Sequence, residues 1–348
     1  MKTINQKQTG NKKSNSVRSA VQILFWLLLL ALALFIYRDS FSDIMAGLRQ
    51  VTWQHILVSA LFSIAYYILE GMTIHSMANM IFFHDSVWHG IAIAFQCEFY
   101  RLITLGSGAG IAEIHYLHQN GMEPAKGTVL TMLQYIMKKT GIMILGVLGF
   151  AGLYQNEDTI NVCRQYEGFL GAGCAITVVI VLFLLFIALS PSVMRWVIWI
   201  MDKATQKVPS LSEKMNFLKE QMTELNQTGI VIFCQKKRLA WIIGLNLIKL
   251  AAIYCIPAYL LYGKSELTSG ECFMLMAVVY MLSGVIPAPS GIGSLEFVFL
   301  LFFGVFAESG TAVPAVLVFR FATWILPFAI GGVLLFINKI SRYTARIS

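Results

Sequence analysis

Long apolar runs constrain this chain more than any other feature. Residues 168–189 contain no charged side chain over 22 positions, and about 20 such residues are enough for a helix to cross the apolar core of a bilayer. The chain has 348 residues, of which 57% are hydrophobic and 13% charged, and its mean hydropathy is +0.70. A water-soluble fold could not bury so much apolar surface. The sequence therefore predicts an all-α polytopic membrane protein.

Six runs are long enough to cross and are separated by polar or glycine-rich segments. The predicted spanning helices are 21–37, 55–82, 126–153, 168–189, 240–262 and 311–338. For the first run a cleaved signal peptide is an alternative, but an uncleaved helix fits better because the apolar run continues past Ala33.

Lysine and arginine are concentrated in 1–20, 190–239 and 339–348, and such a bias indicates the cytoplasmic side. We therefore predict a basic cytoplasmic tail at 1–20, a single transmembrane domain over 21–338, and both termini inside a plasma or inner membrane. The cytoplasmic loop 190–239 contains an amphipathic helix, which either binds anionic headgroups or packs on its neighbours. The net charge of +8 is explained by topology, so we expect no nucleic-acid partner.

Two stretches share the pattern S-G-x-G-x-x-E at positions 183 residues apart, "SGAGIAE" at 107–113 and "SGIGSLE" at 290–296. Each interrupts an apolar region, 88–120 or 270–307, and is followed by an arm too short to cross. The basic segments all fall on the cytoplasmic side only if each region leaves the membrane on the side where it entered. We therefore predict two re-entrant broken-helix hairpins, which make the halves 55–153 and 240–338 an inverted repeat, as in many secondary transporters.

The residues of these breaks suit a binding site. Glycines allow the backbone to turn and a ligand to approach, prolines end the preceding helix, and a helix that begins at the break directs amide groups at an anion. The glycines are Gly108, Gly110, Gly291 and Gly293, and the prolines are Pro287 and Pro289.

Glu113 and Glu296 are predicted in the first turn of the helices that follow the breaks. Each carboxylate could cap its own helix, or line a substrate path as an ionisable group inside the membrane, and the two roles are compatible. Lys138 lies 25 residues after Glu113, and Arg320 lies 24 after Glu296. We therefore predict the pairs Glu113–Lys138, with Lys139 as the alternative cation, and Glu296–Arg320, in which the guanidinium could instead bind a phosphate.

Other charges also fall inside apolar segments, and together with these pairs they predict a polar cavity. They are Glu70, Glu98, Arg101 and Lys249.

The stretches "GVIPAPSGIGSLEFVFLLFFGVF" and "VLVFRFATWILPFAIGGVLLF" resemble the lysylphosphatidylglycerol synthase transmembrane family, which includes the membrane half of the multiple peptide resistance factor. The prolines, glycines and glutamate of the second motif match the family's turn, and Arg320 matches its following arginine. Ser290 stands where a glycine is frequent, and the first motif lacks prolines, so the family supports the first motif less.

The resemblance implies a lipid translocase that moves aminoacylated phosphatidylglycerol between leaflets, without the soluble synthase domain of the full-length factor. The predicted translocation site comprises Glu113, Glu296, Arg320, Lys138, Arg101 and the glycines and prolines of the breaks. The expected partners are membrane phospholipids, with a separate lipid-modifying synthase as a further candidate partner. The alternatives are a non-transporting scaffold subunit of such a system and an intramembrane enzyme that acts on a lipid headgroup.

Motifs for other chemistry do not occur in the sequence. H-E-x-x-H, G-x-S-x-G and a P-loop are absent, and the six cysteines have no metal-binding spacing. His115 and His118 are one turn apart and could share a metal, although polar contacts are the simpler interpretation. We therefore predict no catalytic residue, no metal and no cofactor.

Overall fold

The computed structural model describes residue 49 and residues 51–347, except 81–85, 105, 107, 156, 208–211, 287, 289, 290, 292 and 309. The predicted tail 1–20 and the first predicted span, 21–37, lie outside the described residues, as do Pro287 and Pro289. From residue 51 onward the described chain is a series of α-helices joined by short turns.

The helices, in chain order, are α1 (Trp53–Met80), α2 (Val87–Ile103), α3 (Ala109–Gln119), α4 (Pro124–Leu153), α5 (Glu157–Gln165), α6 (Glu167–Leu189), α7 (Pro191–Lys207), α8 (Ser212–Cys234), α9 (Lys236–Leu260), α10 (Ser269–Ser283), α11 (Ser294–Phe306), α12 (Ala312–Arg320) and α13 (Leu326–Ile347). A π-helical segment, Phe321–Ile325, joins α12 to α13.

Five helical stretches among the described residues are long and apolar enough to cross a membrane. They are Trp53–Met80, Pro124–Leu153, Glu167–Leu189, Lys236–Leu260 and Ala312–Asn338. These stretches match five of the six predicted spans to within four residues at each end. The predicted all-α polytopic membrane fold is confirmed.

Both predicted hairpins are broken helices. The first consists of α2 and α3, and the second of α10 and α11. The second arms have 11 and 13 residues, which is roughly 17–20 Å of helix at 1.5 Å per residue, well below the roughly 30 Å of the hydrocarbon core. Neither arm is long enough to cross alone.

The two breaks have different backbone conformations despite their shared motif. At the second break Gly291 and Gly293 have φ of +72° and +85°, the left-handed region that glycine adopts without strain, and α11 begins only after Gly293. At the first break the left-handed residue is Gly106, with φ of +99°, and α3 begins directly after Gly108. Within the motif, α3 therefore starts two positions earlier than α11.

The first helices of the two predicted halves, α1 and α9, pack against each other. Glu70 contacts Lys249, and the His55 ring lies 5.7 Å from the Tyr259 ring. The position on α9 rises as the position on α1 falls, so these helices are antiparallel. Equivalent helices related by an axis in the membrane plane must be antiparallel, which is the geometry of an inverted repeat.

The first arm of each hairpin packs against the last helix of the other half, α2 on α13 and α10 on α4. Glycine permits both contacts, because a Cβ at Gly331 would collide with the Phe95 carbonyl and one at Gly149 with the Met274 carbonyl. Small residues that let helix backbones approach are typical of membrane helix interfaces. The two halves thus use the same kind of contact in equivalent places.

Helices α7 and α8 occupy most of the predicted loop 190–239. Leu225 of α8 is buried, and the Asn226 amide donates to the Ile187 carbonyl near the end of α6 at 3.0 Å. Of the two interpretations given for this amphipathic helix, the contacts of α8 support packing on its neighbours.

Candidate functional site: a charged cavity between the two breaks

The two breaks meet at one cavity of about 580 Å³. Gly110 and Glu113 line it from the first hairpin, and Gly291, Ser294 and Leu295 line it from the second. The two copies of the motif are therefore 183 positions apart in the chain but neighbours in the fold. Polar groups that converge in a concave site of this size are typical of a small-molecule site.

Seven charged side chains line the cavity, which is unusual for a chain with so few charges. They are Glu70, Glu98, Arg101, Glu113, Lys138, Lys139 and Arg320. Four cations thus face three carboxylates, an excess of one positive charge. Charged groups inside a membrane protein are costly and tend to lie along substrate or ion pathways.

Arg320 and Glu296 form an ion pair, with Arg320 Nη2 at 2.6 Å from Glu296 Oε2. The same nitrogen donates to the Gly291 carbonyl at 2.8 Å, and the guanidinium lies 4.1 Å from the centre of the Trp324 ring. These three contacts fix a planar cation at the cavity wall. The buried Nε–H has no hydrogen-bond partner among the described residues, and a guanidinium binds anions well.

Glu296 itself is not part of the cavity wall, since it lies behind Arg320. Its Oε2 also accepts the Gly293 N–H at 2.9 Å, which caps α11. Glu296 therefore combines the capping and pairing roles, and Arg320 is the member of the pair that faces the cavity. Gly108 and Gly293 likewise shape the turns without lining the cavity.

The predicted pair Glu113–Lys138 is wrong, and so is the position of Glu113 in a first turn. Because α3 begins at Ala109, Glu113 is the fifth residue of the helix and cannot cap it. Its carboxylate instead faces Gln134 of α4, whose amide nitrogen, turned toward it, lies 2.8 and 3.3 Å from the two oxygens. Lys138 is one turn further along α4 and lies 3.9 Å from Glu70.

Glu70 is the centre of an ion-pair network that joins three helices. It contacts Lys249 of α9 and Lys138 of α4, and the Lys249 side chain is only 2% exposed. The sequence showed both charges inside apolar helices but not their pairing, because 179 positions separate them and no motif links them.

Arg101 also lines the cavity, and it pairs with Glu98 one turn earlier in α2 at 3.1 Å. Lys139 has no carboxylate within 4.0 Å among the described residues, and its ammonium lies 5.7 Å from the Tyr135 ring. Lys139 is therefore the cation of the wall that is least committed to an internal partner.

Aromatic and hydroxyl-bearing side chains complete the wall. Tyr66, Tyr67, Tyr135, Tyr280 and Trp324 line it. Such side chains offer apolar area together with a polar tip, which suits a ligand that is polar at one end and apolar at the other. Nothing in the sequence marks these side chains as part of a site, because aromatic residues are common throughout the chain.

His115 and His118 do not line the cavity. His115 Nε2 lies 2.6 Å from the Gln119 side-chain nitrogen, and His118 Nδ1 lies 3.0 Å from the Met122 carbonyl oxygen. Among the described residues no group of three or more metal-binding side chains is found. The polar-contact interpretation of the two histidines fits these positions.

The fold and the site define a polytopic membrane protein with a charged internal cavity at the junction of two broken helices. The sequence profile of the family described as "Lysylphosphatidylglycerol synthase TM region" matches residues 19–331. The chain belongs to this family. None of the curated proteins compared with the chain matches it.

Proposed function

We propose that this chain is a lipid translocase of the cell membrane, which moves an anionic or aminoacylated phospholipid between leaflets. The observation that carries the proposal is the charged cavity that both hairpins line. A passive membrane anchor has no need of seven charged side chains around one cavity, because each is costly in an apolar surrounding. Membership of a family named for lysylphosphatidylglycerol supports a phospholipid as the substrate.

The cations of the cavity suit a lipid phosphate. Arg320 presents a fixed guanidinium, and Lys139 presents an ammonium that has no carboxylate partner among the described residues. Both groups recognise phosphate oxygens. A phosphate held between them would let the acyl chains remain in the bilayer while the headgroup crosses through the protein.

We also propose an orientation in the membrane. Both termini lie in the cytoplasm, because lysine and arginine are concentrated at the ends and in 190–239. The two hairpins enter from opposite faces, so that each break contributes one side of a site near the middle of the bilayer.

A leaflet-resolved assay in reconstituted vesicles tests the proposed function. Phosphatidylglycerol in the outer leaflet is quantified by periodate, which oxidises its glycerol headgroup and does not cross the membrane. We expect the wild-type chain and Lys126→Ala, which alters an exposed cation, to bring inner-leaflet lipid to the outer leaflet. Arg320→Ala should slow this movement at least tenfold.

The alternatives give different results in the same vesicles. A scaffold subunit would leave the rate at the protein-free leak, with and without Arg320. An enzyme would generate a new lipid species that mass spectrometry detects. Either result would contradict the proposed function.

A further inference from the structure

Glu113 differs from the other carboxylates of the cavity wall. It is only 9% exposed and lines the cavity, yet no cation lies within the 4.0 Å ion-pair distance among the described residues. Glu70 and Glu98, by contrast, each have a cation partner. A buried carboxylate without a countercharge binds a proton more readily than one in water.

Charged and titratable groups on the surrounding helices line the cavity together with Glu113. They are Tyr66, Tyr67 and Glu70 on α1, Cys97, Glu98 and Arg101 on α2, Tyr135, Lys138 and Lys139 on α4, Tyr280 on α10 and Arg320 on α12. Lys249 on α9 contacts Glu70. Arg101, Lys138 and Arg320 each pair with a carboxylate other than Glu113. The charge of Glu113 is therefore not fixed by a permanent partner.

Gln134 provides a neighbour that suits both protonation states of Glu113. With its amide nitrogen toward the carboxylate, Gln134 donates to an ionised Glu113 across 2.8 and 3.3 Å. With the amide turned by 180°, its oxygen lies at a similar distance and accepts the O–H of a protonated Glu113. A lysine at this position would have held the ionised form alone.

We propose that Glu113 is a proton-binding site that couples proton movement to the movement of an anionic lipid. The inference rests on the proposed function for the lipid part, while the proton site stands on the geometry of Glu113 and Gln134. When the carboxylate takes a proton from water, the excess positive charge of the wall rises from one to two. The cavity then holds an anion more tightly, and release of the proton to water on the other side weakens the hold. By linkage, lipid binding raises the proton affinity of Glu113 in return.

Infrared difference spectroscopy tests the proton site without any transport. Spectra of the purified full chain in detergent are compared between acid and alkaline pH, and the carbonyl band of a protonated carboxyl is followed. We expect a titrating band that is lost in Glu113→Gln and retained in Glu123→Gln, which removes an exposed carboxylate. Glu113→Asp, a second variant in case the first misfolds, should keep a titrating band at a shifted position. A band that is unchanged in both Glu113 variants would overturn the proton site.

The coupling is tested in vesicles of phosphatidylglycerol and phosphatidylcholine. A gradient with the acid side inside should speed inner-to-outer movement of phosphatidylglycerol several-fold over equal pH in the wild type and in Glu123→Gln. In Glu113→Gln the ratio of the two rates should fall to about one. A wild-type rate that does not change with the pH gradient would overturn the coupling. A Glu113→Gln variant whose rate rises with the gradient as much as that of the wild type would also overturn it. If no lipid moves under any condition, the proposed function fails, and the infrared band still decides the proton site.

Discussion

At the scale of single residues, the glutamates that end the two motifs have different roles. Glu296 accepts the Gly293 N–H and pairs with Arg320, so it holds another residue in place. Glu113 lies within α3 and lines the cavity, and no ion pair to it is found among the described residues. The difference arises because α3 begins two motif positions earlier than α11, and each residue of helix turns a side chain by about 100°.

The roles of Glu296 and Arg320 are separable by mutation. Arg320→Ala leaves the Glu296 carboxylate without its cation, and the loss should lower the free energy of unfolding by about 3 kcal/mol. Glu296→Gln keeps an oxygen for the Gly293 N–H and should cost only about 1 kcal/mol. The double variant should recover part of the stability lost in Arg320→Ala, as measured by chemical unfolding in detergent.

Translocation should not follow stability in this series. Arg320 is the member that faces the cavity, so the double variant should remain inactive although it is more stable than Arg320→Ala. If lipid movement in the double variant returned in step with stability, Arg320 would serve only the fold.

At the scale of secondary structure, the apolar runs predicted the five long helical stretches to within four residues. Length and apolarity alone decide whether a helix can cross a membrane, so these elements could be read from the sequence. The start of α3 could not be predicted from the sequence. Either Gly106 or a motif glycine could have been the left-handed residue, and the choice depends on the packing of the turn. The predicted pair Glu113–Lys138 failed for this reason.

The π-helical segment Phe321–Ile325 was not predicted, and it lies directly after Arg320. Pro327 has no N–H to offer the Thr323 carbonyl four residues earlier. The Tyr67 hydroxyl of α1 donates to this carbonyl instead, at 3.2 Å. A cavity-lining tyrosine thus completes the hydrogen bonding of the helix that carries Arg320.

Removal of this hydroxyl should destabilise the protein. Tyr67→Phe leaves the Thr323 carbonyl unsatisfied in a buried place, which should cost about 1–3 kcal/mol. Tyr254→Phe is the matched control, because Tyr254 is fully buried and its hydroxyl has no hydrogen-bond partner among the described residues. We expect thermal unfolding of the Tyr67 variant at a lower temperature than that of the wild type and of the control. Equal midpoints for the two variants would refute the proposed role of Tyr67.

At the scale of the whole molecule, the doubled motif indicated two equivalent halves, and the antiparallel packing of α1 on α9 agrees with an inverted repeat. The repeat boundaries 55–153 and 240–338 remain a prediction. The sequence also led to a charged cavity, but not to the Glu70–Lys249 contact that joins the halves. Contacts between positions far apart in the chain depend on the whole fold, so they could not be predicted from this sequence alone.

The inverted repeat predicts the sides on which the two short arms end. Gln119 at the end of α3 and Glu308 after α11 are both exposed. Single cysteines at these positions, in a chain otherwise free of cysteine, are labelled in intact cells with an impermeant thiol reagent. We expect Cys at position 308 to be labelled from outside and Cys at position 119 only after the cytoplasm is opened. Labelling of both from the same side would contradict the inverted topology.

The central claim, that lipid headgroups enter the cavity between the two breaks, is tested most directly by photo-crosslinking. Benzoylphenylalanine replaces Tyr280, which lines the cavity, or Phe183 as a control on the exposed surface of α6. The chain is irradiated in vesicles that contain phosphatidylglycerol with a deuterated headgroup, and the acyl chains are removed by alkali before mass spectrometry. We expect the deuterated headgroup to stay attached at position 280 and only acyl-chain adducts to form at position 183. Headgroup adducts missing at position 280, while position 183 reacts normally, would contradict the account.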